Sequence, residues 1–148
     1  PQDIAFSGPA KRAVEIEYAV RNGCGAIVCE SANEVATVNT IASVLGRVQP
    51  ILLRINPIHV PRRFGLQMGG RPTQFGIDEE IVSAVIDSLA ESPGVALEGL
   101  HVYSAGNSLD ESAIAENFTS IAALFSRLVR QHSLDLAAHV ERHCDFLD

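Results

Sequence analysis

The residue that most constrains the chemistry of this chain is Arg54, set in the apolar run Ile51-Leu52-Leu53-Arg54-Ile55. A guanidinium in such a run is costly to bury unless an anion or polar group meets it. Two kinds of partner are open: a bound ligand, or a carboxylate on a neighbouring strand such as Glu30. Arg54 also belongs to a local basic group with Arg62, Arg63 and Arg71 around one loop. That group suits either an anion site or a solvated loop. The net charge of −7 argues against a nucleic-acid surface, which needs a basic patch. Cys24, Cys29 and Cys144 have neither CxxC spacing nor a nearby pair of ligand histidines, so no zinc site is expected. His139 and His143, with Cys144 beside them, have the i, i+4 spacing of a metal pair but no flanking carboxylate motif. An odd cysteine count without a secretory signal points to a reducing cytosol. No apolar run approaches the roughly 18–20 residues that span a membrane, so a soluble, cytoplasmic chain is expected.

These groups must be positioned by an alternation of short apolar runs and amphipathic helices. Ile4-Ala5-Phe6 reads as a strand, turned by Gly8-Pro9 into a helix from about Lys11 to Asn22 that Gly23 ends in a left-handed cap. Gly25 to Cys29 is the next strand. Ser31 and Glu34 form a capping box, and Val35, Val38, Ile41, Ala42 and Leu45 then recur at helical spacing until Gly46. Ile51 to Ile55 lacks period-2 alternation, which suits a strand covered on both faces. Residues 56–76 read as a loop, and a stretch of that length is usually functional or mobile. Asp78 caps a helix carrying Ile81, Val82, Val85, Ile86 and Leu89. Pro93-Gly94 turns the chain into the strand Leu97 to Val102. A long helix follows, with Ile114, Phe118, Ile121, Phe125 and Leu128 along one stripe.

Four β–α units in succession imply a parallel sheet with right-handed crossovers. An eight-fold barrel typically takes about 250 residues, and this chain has 148. The pattern alone leaves two choices, a small open α/β domain or part of a barrel.

Three segments decide between them by resemblance. Phe6-Ser7-Gly8-Pro9-Ala10-Lys11, leading through a helix to Val28-Cys29-Glu30-Ser31, resembles the opening of the fold-type III pyridoxal-phosphate decarboxylases of ornithine, arginine and diaminopimelate. Leu53-Arg54-Ile55-Asn56-Pro57, followed by Thr73-Gln74-Phe75-Gly76-Ile77, is similar to that family's L-R-I/V-N-P and S-K-F-G-I/M motifs. Gly99-Leu100-His101-Val102-Tyr103 is similar to its G-L-H-x-H strand end. The resemblance covers residues 4–131. It implies a partial (β/α)8 barrel of the alanine-racemase type over residues 1–131, with an atypical tail at 132–148. Gly69-Gly70 and Tyr103 lean toward the subgroup acting in polysaccharide or secondary-metabolite biosynthesis.

The resemblance also implies pyridoxal phosphate as cofactor, lying at the C-terminal mouth of the barrel. Arg54 falls where the family has a cofactor-facing arginine, with ion pairing to Glu30 as the alternative. Tyr103 takes the place of the family's ring-stacking imidazole, or else packs in the core. His101 stands two residues before it. Ser104 is the nearest hydroxyl to the family's phosphate-contacting serine, and Phe75 with Gly76 shapes the wall beneath the ring. Gln74 replaces the family's lysine or arginine. Lys11 matches a helix-start lysine and is expected at the surface.

The implied partners are an amino-acid or carrier-linked substrate in a full-length homodimeric enzyme, with no nucleic acid or membrane. No catalytic residue is expected in this chain. The family's imine-forming lysine lies upstream of the first matched segment. Its glycine-rich phosphate loop should follow Leu134-Asp135-Leu136, where Ala137 to Cys144 stands instead. The expectation is a fragment inactive alone, through truncation or a disrupted frame. A fragment of an alanine-racemase-like enzyme and a non-catalytic barrel piece are the alternatives.

Overall fold

The computed structural model describes residues 1–60, 74–103 and 110–134, together with the backbone of 66–67 and 105–106. Its elements are β1 (Ala5–Phe6), α1 (Ala13–Arg21), β2 (Ala26–Cys29), α2 (Ala32–Val44), β3 (Gln49–Asn56), β4 (Leu66–Gln67), β5 (Ile77–Asp78), α3 (Glu79–Ser88), β6 (Val95–His101), β7 (Ala105–Gly106) and α4 (Glu111–His132). Gly23 and Gly46 follow α1 and α2 with φ of +69° and +63°, the left-handed conformation that only glycine adopts without strain.

Strands β1, β2, β3 and β6 lie side by side in that order, all parallel. Each β–α unit therefore places its strand next to the previous one, with no reversal of direction around the sheet. A doubly wound sheet would reverse its order at a switch point, whereas a barrel does not. The structure is an arc of a (β/α) barrel.

The runs that read as uniformly apolar are sorted by the pleat. Ile27 and Cys29 of β2 and Ile51, Leu53 and Ile55 of β3 join Ile16 and Val20 of α1, Val35, Val38 and Ala42 of α2, and Leu124 and Leu128 of α4 in one core. The alternate residues of β3, namely Leu52, Arg54 and Asn56, are also buried but point to the opposite face, the inside of the arc. Strand β6 keeps this parity only through a bulge, since Ile51 pairs with Leu97 while Leu52 pairs with Gly99. The extra residue, Glu98, shifts the alternation by one. Leu100 then joins the core, and His101 becomes the register partner of Arg54.

Several details depart from the sequence reading. The 56–76 stretch is not all loop: β4 within it pairs antiparallel with β7, so the segments that follow β3 and β6 are joined. Asp78 precedes α3 but caps nothing; it accepts a hydrogen bond from Asn56 Nδ2 at 2.7 Å. Of the apolar residues assigned to helix stripes, Ile81 and Phe118 are exposed, and so is Val14 of α1. Helix α4 turns Ala113, Leu124 and Leu128 inward.

Cys29 is fully buried, and burial, with the Glu34 charge adding to it, pushes its thiol up from 9.0 to about 12. Because the folded state holds that proton more tightly, the associated stability is intact below the ordinary thiol value and declines as pH rises toward 12. Iodoacetamide at pH 8 is therefore expected to leave Cys29 unlabelled until urea unfolds the chain. Peptide mapping by mass spectrometry checks this, and native-state labelling of Cys29 would contradict its burial.

Candidate active-site mouth

The C-terminal ends of β2 and β3 bring together a buried set of charges. Arg54 Nη1 donates to both carboxylate oxygens of Glu30, at 3.0 and 3.1 Å. The side chains are 9% and 4% exposed, so both ions are desolvated and depend on each other. Glu30 also accepts the Gly76 backbone N–H at 3.2 Å. Gly76 has φ +80°, and a Cβ there would meet Arg54 O at 3.0 Å and Asn56 N at 3.1 Å. This turn thus requires glycine both for its conformation and for its close approach to β3. It presents Phe75 to the arginine, whose guanidinium carbon lies 5.1 Å from the ring centroid, within cation–π range.

A second ion pair lies behind the first. Lys11 Nζ donates to Gly8 O at 2.6 Å and to Glu34 Oε2 at 2.8 Å. The lysine side chain is 2% exposed, so the expectation of a surface lysine is corrected. An ammonium can be buried here because the turn carbonyl and the carboxylate both receive it. The Ser31–Glu34 capping box is only half formed. Ser31 Oγ accepts from Glu34 N at 3.1 Å, but Glu34 Oε2 accepts from Glu30 N at 2.8 Å rather than closing on Ser31.

The structure therefore unites Arg54 and Phe75 as the sequence reading expected, and supplies Glu30 as the partner. His101 sits beside Arg54 in register. Tyr103, two residues on and half-buried, lies just past the end of β6. Ser104 lies outside the described residues, as do Arg62, Arg63, Arg71, His139, His143 and Cys144. Glu30, Glu34 and Lys11 were missed as one unit. The available signal was two carboxylates four apart at a strand end, with a lysine just after the Gly8-Pro9 turn.

A cluster of this kind, at the carboxyl ends of parallel strands, stands where barrel folds build their sites. Residues 1–138 match the family model "Pyridoxal-dependent decarboxylase, pyridoxal binding domain". The chain belongs to this decarboxylase family. It is 40% identical over 109 residues to the 2-[(L-alanin-3-ylcarbamoyl)methyl]-2-hydroxybutanedioate decarboxylase of Staphylococcus aureus, covering 74% of this chain and 27% of that protein. It is 34% identical over 116 residues to the L-glutamyl-[BtrI acyl-carrier protein] decarboxylase of Niallia circulans, covering 78% and 27%. The diaminopimelate decarboxylase of Helicobacter pylori, solved with L-lysine, superposes with a TM-score of 0.80 at 28% identity, covering 92% of this chain and 34% of that one. An alanine racemase of Clostridium difficile, at TM-score 0.66 and 16% identity, shares the fold. The chain thus spans about a quarter of the length of the two decarboxylases first compared. Among the described residues, no helix is long and apolar enough to cross a membrane.

Proposed function

We propose that this stretch of the pyridoxal-dependent decarboxylase barrel forms one wall of a pyridoxal phosphate site, with Arg54, Phe75, His101 and Tyr103 facing the cofactor. The observation that carries this reading is the Arg54–Phe75 stack beneath the strand ends, 5.1 Å from guanidinium carbon to ring centroid. A guanidinium over an aromatic ring gives a flat, polarisable surface that suits a planar heteroaromatic ring. The buried Glu30–Arg54 pair excludes water beneath it. Ser104, outside the described residues, is assigned a phosphate contact on the family resemblance alone. When bound, pyridoxal phosphate supplies an electron sink that makes loss of a carboxylate feasible.

The substrate in the complete enzyme is an amino acid, free or linked to a carrier. The carrier-linked option is supported by the Niallia relative, whose name describes such a substrate. We further infer a homodimer, on family resemblance, and a cytoplasmic setting, which the free thiols of Cys24 and Cys29 support.

Lys11 is the only lysine in the sequence, and it is committed as a buried ammonium to Glu34 and Gly8. Pyridoxal phosphate is therefore expected to bind this chain weakly and without a covalent bond. Titration of the isotope-labelled chain should shift the backbone signals of Arg54, Gly76 and His101 first. Borohydride followed by mass spectrometry should find no reduced adduct on Lys11. An adduct there, or shifts centred away from the strand ends, would refute the reading.

A further inference from the structure

We propose that Glu30 is a positioning residue, whose carboxylate locks the Arg54 guanidinium and the Phe75–Gly76 turn into one preformed platform at the mouth. The proposal rests on reading that mouth as the cofactor wall. It goes further in assigning its geometry to the residue just past the end of β2.

A buried ion pair adds little net stability over well-packed apolar side chains, so its use is better sought in the geometry it imposes. Here that geometry is unusually determined. Glu30 receives Arg54 Nη1 on both oxygens and the Gly76 N–H on Oε2, so one carboxylate joins β2, β3 and the turn before β5. The arginine is engaged end-on through a single nitrogen, rather than through the two-nitrogen fork that would occupy a whole edge of the guanidinium. Phe75 then covers the guanidinium face.

Glu30 is itself fixed from behind. Its backbone N–H donates to Glu34 Oε2, the oxygen that also receives Lys11, while Ser31 Oγ holds the Glu34 backbone. Helix α2 thus anchors the clamp through its first turn. A surface held in this way before binding loses little conformational freedom when a ligand arrives.

The test needs no cofactor. In the isotope-labelled chain, the Arg54 Nε–H is expected to exchange with solvent roughly tenfold or more slowly than that of Arg12, equivalent to about 1.4 kcal/mol or more of restraint; the Arg12 side chain is 74% exposed and meets Glu15 through Nη2. Glu30→Gln should bring the Arg54 Nε–H and the Gly76 amide into fast exchange while the amides of Ile27 and Leu53 stay protected. Glu30→Asp should restore part of the restraint. A merely structural role would loosen all four positions together, and that result would overturn the proposal. So would an Arg54 that exchanges like Arg12 in the unsubstituted chain, a comparison that stands even if Glu30→Gln does not fold. A separate titration with pyridoxal phosphate distinguishes the two readings. Restrained Arg54 without ligand shifts at the mouth would count against the cofactor wall and leave the clamp standing.

Discussion

Replacing Arg54 by methionine is expected to lower the unfolding free energy of the chain by about 3–5 kcal/mol, the usual loss when one partner of a buried ion pair is removed. The methionine itself is not the difficulty, because its volume and flexibility suit the site. The cost falls on Glu30, whose side chain is 4% exposed and keeps only the Gly76 N–H. Pairing Arg54→Met with Glu30→Met removes the stranded charge and should recover most of the loss. Recovery should fall short by about 1 kcal/mol, the low end of the cost of an unmet donor, since the half-buried Gly76 N–H then lacks its acceptor. Urea unfolding of the two single variants and the double variant gives the comparison. A loss under about 1 kcal/mol for Arg54→Met would match a solvent-screened surface pair, and would mean the mouth is wetter than the structure has it.

Arg54 was legible as a problem before its solution was. An arginine in the run Ile51–Ile55 announces a buried charge, and the sequence reading left its partner open between ligand and Glu30. The pairing depends on register: Cys29 lies opposite Leu53, so the next residues, Glu30 and Arg54, meet. Nothing in composition or periodicity gives a register between parallel strands joined by a helix. Lys11 failed for a related reason. A lysine just before a helix is normally solvated, and here the Gly8 carbonyl and Glu34 at the α2 start together hold it buried.

The succession of β–α units was readable, because short apolar runs, capping residues and left-handed glycines agree locally at each unit, while the choice of a barrel over an open sheet came from the family resemblance. What escaped was parity and helix rotation. The Glu98 bulge exchanges the two faces of β6 midway and so sets His101 beside Arg54. No side chain in Leu97-Glu98-Gly99 signals it unmistakably. In α4 the apolar residues cover a broad arc, and periodicity marks the arc without saying which part meets a neighbour. Among the described residues α4 contacts α3, and Phe118 remains 41% exposed.

The second large effect is expected at Leu53→Ala, at about 2–5 kcal/mol. Leu53 is fully buried, and its Cα partners are Cys29 on one side and Leu100 on the other. Both partners belong to the core beneath the helices. The strand cannot shift toward the vacated space without breaking two parallel ladders, so the cavity stays largely open and the loss should lie in the upper half of that range. The urea midpoint should fall with an unchanged slope, since the surface exposed on unfolding is nearly the same. Val44→Ala supplies the contrast: that side chain is 81% exposed, and its loss should stay within about 0.5 kcal/mol. If Leu53→Ala were as mild as Val44→Ala, β3 would not be the central strand, and the platform that Arg54 occupies one residue further on would lose its foundation.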